Sequence, residues 1–324
     1  MRISLEQAIA KLKNGEVVAI PTETVYGLAA DATNDSALRQ IYAIKQRPAD
    51  NPLIVHISTM QQVNDWASEF PPLAQKLANT FWPGPFTLVL LAKDCVSSIV
   101  RAGEPTVALR VPAHPLALQL LKQSGLGLAA PSANRYTQLS PTTAEHVETG
   151  LGNDLPVLDG GACQVGIEST IVSVTGDDWQ LLRHGMIAET QITKVAGKSA
   201  FAGSVNLPKA PGQHLLHYSP KTPIKLFDSA QALIRYQQES LQTCAIVLID
   251  DLILEAQQAS QLNKPLIIET VQLPNNPALV AERLYGVLHH LDTLNVAQLL
   301  VQSPPATAEW LAILDRLTRA SHHS

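Results

Sequence analysis

Two rhythms of apolar and polar positions run along this chain. Short runs rich in Val, Ile and Leu predict buried strands at 17–20, 53–57, 86–91, 106–111, 127–130 and 170–174. Helical stretches fall between them at 36–45, 72–80, 115–124 and 142–148. A first helix is expected over 4–14, because Ser4 can cap it, Gln7 sits three residues on and Gly15 can end it. Some strands follow each other closely, so the α/β layers predict a twisted mixed sheet with helices rather than a purely parallel one.

The pattern breaks over 201–222, where Gly203, Pro208, Pro211, Gly212 and Pro220 crowd together and read as a linker. Beyond it a regular β-α-β-α rhythm appears. Strands are expected at 224–227, 245–249, 265–269 and 298–301, and helices at 230–238, 253–261, 276–291 and 306–320. The expected organisation is therefore a catalytic-sized domain over 1–200, a linker over 201–222, and a small doubly wound, Rossmann-like α/β domain over 223–324. No internal repeat and no low-complexity tract interrupts it.

Composition narrows the function classes. With 324 residues, 46% hydrophobic and 16% charged, the chain can bury two cores and carries no composition of a long disordered tail. A formal net charge of −5 argues against a general nucleic-acid binder while leaving room for a local basic groove. Cys95, Cys163 and Cys244 are odd in number, far apart and without metal-ligand spacing, so they read as reduced thiols of a cytoplasmic protein. The start shows no apolar signal region, and no apolar run is long enough for a membrane span.

The polar residues that change the picture sit at strand and helix ends. The segment PTETVYG at 21–27 leaves the first strand through a hydroxyl-rich turn that contains Thr24. A helix then ends at Lys45, and Arg47 follows two residues later, ahead of Pro48 and Asn51. Lys and Arg converging from an extended segment suit a polyanion, although such a pair at a helix end is usually solvated surface or complements the helix dipole. Asn51 and His56 flank the apolar segment 52–55.

In APSAN at 130–134, the small Ala130 lets backbone approach a ligand, and Ser132 and Asn134 offer donors and acceptors; an ordinary turn explains the same residues. Ser140 is an N-cap candidate that can face the same pocket. Thr106 and Arg110 flank an apolar strand, and Arg110 there wants a carboxylate or phosphate, in a ligand or in a structural ion pair. Ser169 precedes one strand and Arg183 closes the next. Polar groups at strand ends are where α/β proteins bind ligands.

Several other chemistries are rejected. Gly197, Lys198 and Ser199 resemble the end of a phosphate-binding loop, but Ile192 stands where the motif needs Gly. His214 and His217 have metal-like spacing, yet Gly and Pro surround them and no further ligand is near, so a segment folding over a ligand is the better reading. Nothing indicates an activated Ser or Cys nucleophile.

The ordered set PTETVYGL, KQRPADNPLIVHI, FWPGPFTLVL, VALRVP, APSAN, GIESTIV and LLRHG resembles the YrdC-like domain of the threonylcarbamoyl-AMP synthase family. PGQHLLHYSPKTP and the α/β tail resemble its longer, two-domain branch. Ala29 stands where the family often has Gly. The resemblance implies an enzyme, a nucleotidyltransferase that joins L-threonine, bicarbonate and ATP into threonylcarbamoyl-AMP, releasing diphosphate and water. Its product supplies N6-threonylcarbamoyladenosine at position 37 of tRNA through downstream threonylcarbamoyl-transfer proteins, with weak tRNA contact a further expectation. Mg2+ is expected with the ATP, and no metal site of the protein's own.

By family position, Lys45 and Arg47 are the catalytic residues at the phosphates. Asn51, Thr106, Ser132, Asn134, Ser140, Arg183 and Tyr218 join them on the nucleotide side. Thr24, His56, Arg110, Ser169 and the Ala130 backbone are expected to hold L-threonine. With Tyr218 on the nucleotide side, the 201–222 linker is expected to act as a lid. Two other readings stand beside this one. A double-stranded RNA or tRNA binding module would use Lys45, Arg47, Arg110, Arg135 and Arg183 as a basic groove. A carbamoyl-transfer enzyme of hydrogenase maturation would need extra zinc-finger-like modules, and no Cys cluster is present.

Overall fold

A computed structural model describes residues 1–199, 208–211, 218–249 and 266–322. The chain divides into two compact units, Met1–Tyr136 with Ser140–His214, and Thr137–Leu139 with Leu215–Ser324.

The larger unit contains β1 (Arg2–Ile3), β2 (Val18–Ile20), β3 (Gly27–Asp31), β4 (Ile54–His56), β5 (Phe86–Leu91), β6 (Thr106–Arg110), β7 (Leu128–Ala129), β8 (Val157–Leu158), β9 (Thr170–Ser173) and β10 (Gln180–Arg183). They hydrogen-bond in the order β1-β8-β2-β3-β7-β4-β6-β5-β9-β10. The sheet is mixed: β4 runs parallel to β6, β5 is antiparallel to β6 and parallel to β9, and β2 and β3 form an antiparallel pair.

Both faces of this sheet are covered, which is why its strands read as continuous apolar runs rather than alternations. Ala19, Leu28 and Ala30 pack into one buried cluster, while the intervening Val18, Ile20 and Ala29 pack into another. Likewise Val107 and Leu109 of β6 face the first cluster, and Ala108 joins Ile54 and Val89 in a third. A period of two thus sorts neighbours onto opposite faces.

The predicted helices appear as Leu5–Lys13, Asp35–Lys45, Pro72–Phe81, Pro115–Ser124 and Ala144–Leu151, and Glu189–Ala196 follows the last strand. Ser4 and Gln7 form the expected reciprocal capping box on the first. Helix Asp35–Lys45 positions the site. Asn34 caps its start, and Gln46 ends it in a left-handed conformation at φ 53°. One expectation failed: the turn after residue 20 leads into β3, not into the helix. Gly27–Asp31 is rich in Gly and Ala and carries little intrinsic strand signal; its pairing with β2, Ile20 opposite Gly27, makes it a strand.

The smaller unit holds β11 (Ile224–Phe227), β12 (Cys244–Ile249), β13 (Ile267–Leu273) and β14 (Gln298–Gln302), with helices Ala230–Glu239, Pro277–Asp292 and Leu311–Ser321. Its strands pair in the order β11-β14-β12-β13, all parallel. The last strand but one begins two residues later than expected and extends to Leu273, and the final helix starts at Leu311 rather than 306. The helix expected at 253–261 lies outside the described residues, as does most of 201–222, including His214 and His217. The three cysteines are free thiols, Cys163 and Cys244 buried and Cys95 exposed.

Candidate active site

The end of helix Asp35–Lys45 meets the loop that follows β7. The Lys45 ammonium, 1% exposed, donates to the carbonyls of Ser132 and of Asn134, the latter at 2.7 Å. The loop answers through Arg135, which donates to Ile44 O at 3.0 Å, and through the Tyr136 N–H, which donates to Lys45 O at 2.8 Å. The loop is also strapped to the PTETVYG segment, since Ala133 N donates to Tyr26 O and Leu28 N to Pro131 O. Gly27 lets the two segments approach closely, because a Cβ at that position would sit 3.0 Å from the Ala130 Cβ. Ala130 itself donates its N–H to Ile54 O in the neighbouring strand.

Arg47 lies just past the helix cap, buried, donating to Pro52 O at 3.1 Å and lying 5.9 Å from the centre of the Tyr136 ring. Tyr136 also receives the Asn51 side-chain amide at 3.5 Å, so Lys45, Arg47, Asn51, Ser132 and Asn134 share one neighbourhood. Burial pushes the Lys45 ammonium well below the usual lysine range, Arg47 pushes it the same way, and the Glu168 charge pulls it back. An anionic ligand arriving here would reverse that shift and fix the positive charge.

A second cluster forms where β4 and β6 end side by side, with His56 the register partner of Arg110. Each nitrogen of Arg110 already has a local acceptor: Nε donates to Gly84 O at 3.1 Å, Nη1 to Thr24 Oγ1 at 2.9 Å, and Nη2 to Glu23 Oε1 at 2.6 Å. The carboxylate that the sequence left open is therefore Glu23, in a buried ion pair. Burial by itself would raise the Glu23 carboxyl, but the charge and hydrogen bond of Arg110 outweigh it and hold it below the usual range. Burial, with the Arg110 charge second, pushes His56 down to about 3, so its ring is neutral at physiological pH. Its Nδ1 and the Glu23 Oε2 are both buried without a hydrogen bond.

A third group closes the far strands. Ser140 donates to Glu168 Oε1 at 2.5 Å. Ser169 Oγ lies 2.8 Å from Thr87 Oγ1 and receives Arg183 Nη2 at 3.1 Å, while Arg183 also grips the Ser169 carbonyl and, through Nη1, Pro211 O. Gly185 is forced by the same packing, because a Cβ there would lie 2.3 Å from the Thr170 nitrogen. Thr106 is buried at the opposite end of β6 from Arg110, roughly 13 Å away along the strand.

Tyr218 belongs to the smaller unit. It adopts a left-handed backbone at φ 62°, is 1% exposed, and lies against Tyr285, with the Arg316 guanidinium 4.8 Å from its ring centre.

Sequence reasoning placed the cationic and hydroxyl residues but missed their carboxylate partners Glu23 and Glu168, and Tyr136 between Arg47 and Asn51. Both carboxylates stand inside motifs that were read for other residues; only burial distinguishes them from surface acids. Of the cations assigned to an RNA groove, Lys45, Arg47, Arg110 and Arg183 are buried and committed to internal acceptors, and only Arg135 is half-buried. A phosphodiester backbone needs such charges at the surface. Among the described residues no three His, Cys, Asp or Glu side chains gather as a metal site would need, and no helix is long and apolar enough to cross a membrane.

Comparison with known proteins bears on the family and the fold. A family profile described as "Telomere recombination" matches residues 10–185, and one described as "Threonylcarbamoyl-AMP synthase, C-terminal domain" matches 187–322. The chain is 39% identical to the threonylcarbamoyl-AMP synthase of Bacillus subtilis (strain 168), over 98% of this chain and 92% of that one. It is 36% identical to the threonylcarbamoyl-AMP synthase of Pyrococcus abyssi, over 96% and 92%. The crystal structure of P. abyssi Sua5 complexed with L-threonine superposes with a TM-score of 0.85 at 33% identity, covering 99% of this chain and 96% of that one. The chain belongs to the threonylcarbamoyl-AMP synthase family.

Proposed function

We propose that this chain is a nucleotidyltransferase that condenses L-threonine, bicarbonate and ATP into threonylcarbamoyl-AMP, with release of diphosphate and water. The threonine nitrogen attacks bicarbonate or CO2 to give a carbamate. A carbamate oxygen then attacks the α-phosphorus, and diphosphate leaves. No covalent enzyme intermediate is needed, in keeping with the lack of an activated nucleophile in the sequence. Catalysis rests on positioning and on charge stabilisation.

The observation that carries the reading is the buried Lys45 ammonium, seated on two carbonyls of the Ser132–Asn134 loop beside Arg47. A lysine has three donors, so one remains for a phosphate oxygen. On this reading Lys45 and Arg47 meet the phosphates, with Asn51, Ser132, Asn134, Ser140, Thr106 and Arg183 on the nucleotide side. Thr24, His56, Arg110, Ser169 and the Ala130 backbone hold threonine on the same reading; that the P. abyssi relative was crystallised with L-threonine supports the substrate. On this reading Mg2+ enters bound to ATP, as part of the substrate, and no step here depends on a resident metal.

The product suits a role in N6-threonylcarbamoyladenosine formation at position 37 of tRNA, passed on to downstream transfer proteins with at most weak tRNA contact by this chain. Free thiols fit a cytoplasmic setting. The deciding assay is diphosphate release from ATP and bicarbonate, with and without L-threonine, on wild type and Lys45→Ala. Release should require threonine and fall by about 100- to 1000-fold in the variant. Threonine-independent release from folded protein would overturn the assignment.

A further inference from the structure

Threonine binds as a zwitterion, so its site must meet two opposite charges. None of Thr24, His56, Arg110, Ser169 and the Ala130 backbone is anionic, since His56 is neutral when free of ligand. The structure supplies the missing charge one residue before Thr24. Glu23 is 5% exposed and ion-paired to Arg110 at 2.6 Å through Oε1, and Arg110 in turn donates to Thr24 Oγ1. Its other oxygen, Oε2, has no partner in hydrogen-bond geometry, although the backbone N–H groups of Glu23 and Ala113 lie near enough to help hold the carboxyl down, and among the described residues it is the one buried carboxylate oxygen in that condition.

A purely structural ion pair gains by satisfying both oxygens, and leaving a buried charged acceptor open is unfavourable unless something fills it. Arg110 mirrors this condition. Three of its N–H groups are used locally, and a guanidinium has five. The pair therefore keeps an open acceptor on its negative member and open donors on its positive member.

We propose that Glu23 receives the α-ammonium group of the amino-acid substrate on Oε2, and that the Glu23–Arg110 pair is a preformed complement to a zwitterion. The proposal rests on the threonine reading above and deepens it, by making Glu23 a substrate-contacting residue that selects for the amine. The hydrogen bond also holds the substrate nitrogen at a fixed place beside Thr24.

The test compares L-threonine with (2S,3R)-2,3-dihydroxybutanoate, which replaces the amine by a hydroxyl, by calorimetric titration of the full chain. Wild type should bind threonine about 10- to 100-fold more tightly. Glu23→Gln, which keeps the shape and an oxygen for Arg110, should erase that preference by weakening threonine while leaving the dihydroxy acid within about threefold. Equal weakening of both ligands would show that Glu23 acts only by holding Arg110, and would overturn the proposal. If Glu23→Gln does not fold, the wild-type comparison still decides: equal affinity for the two ligands excludes an ammonium acceptor. Wild type that binds neither ligand would remove the threonine reading itself, and this inference with it.

Discussion

The larger unit buries charge at the ends of its strands and helices: Lys45, Arg47, Glu23, Arg110, Glu168 and Arg183 are each less than a tenth exposed. The described part of the smaller unit buries Thr222, Gln237, Gln298 and one charged side chain, Arg316, which is bonded to Asp315 at 2.7 Å and lies against Tyr218. Its parallel sheet is otherwise filled by residues such as Ile246, Leu248 and Leu300. Buried charge is costly, and pairing only partly offsets the desolvation. So much buried charge fits the ligand chemistry proposed for the larger unit, whereas the smaller sheet is built like an ordinary scaffold core.

That contrast can be broken most forcefully at Lys45. Its ammonium is pushed well below the usual range by burial, so at neutral pH the folded state holds that proton less firmly than the unfolded chain does. Lys45→Met should therefore cost about 100- to 1000-fold in diphosphate release while stability in urea stays within about 1 kcal/mol of wild type or rises. A stability loss above about 2 kcal/mol would mean that the carbonyl contacts of Lys45 hold the fold together, and the distinction between the units would weaken. The converse experiment is Leu300→Ala in β14, a fully buried position of the small sheet. It should destabilise that unit by about 2–5 kcal/mol. Threonine affinity of the folded protein, which the proposal assigns to residues of the larger unit, should stay unchanged in the same titration.

The sequence made some of this contrast legible and hid the rest, for physical reasons. Strands such as Phe86–Leu91 and helices such as Pro115–Ser124 announced themselves because both sheet faces are buried and the caps are strong. Gly27–Asp31 did not, because its strand character comes from pairing with β2 rather than from its own side chains. The order of the strands was equally hidden, since crossovers such as β7 between β3 and β4 leave no local trace. At the site, Lys45 and Arg47 were visible as a cation pair, but the acceptors of Lys45 are backbone carbonyls, which no side-chain pattern encodes. Glu23 was hidden for the opposite reason: a Glu in a polar turn looks like surface until Arg110, 87 residues away in sequence, is seen to pair with it.

His56 offers the gentlest test of whether the larger unit's buried polar groups are costs carried for binding. Its ring is pushed down to about 3 by burial and by Arg110, against an ordinary value of 6.5. Between those two pH values the unfolded chain takes up a proton that the folded site refuses, so stability must fall as the pH drops through this window. Glu23, held below its own usual range, adds a loss in the same direction at still lower pH. Urea unfolding at pH 5 should thus show about 2 kcal/mol less stability from His56 than at pH 7.5. His56→Gln should flatten that slope, since glutamine has no proton to take up. L-Threonine at saturating concentration should shift both proteins upward, and more so in the wild type if the imidazole touches the ligand. A slope that survives His56→Gln intact would assign the acid sensitivity to the carboxylates, and His56 would then be buried in this site without any titration penalty to explain.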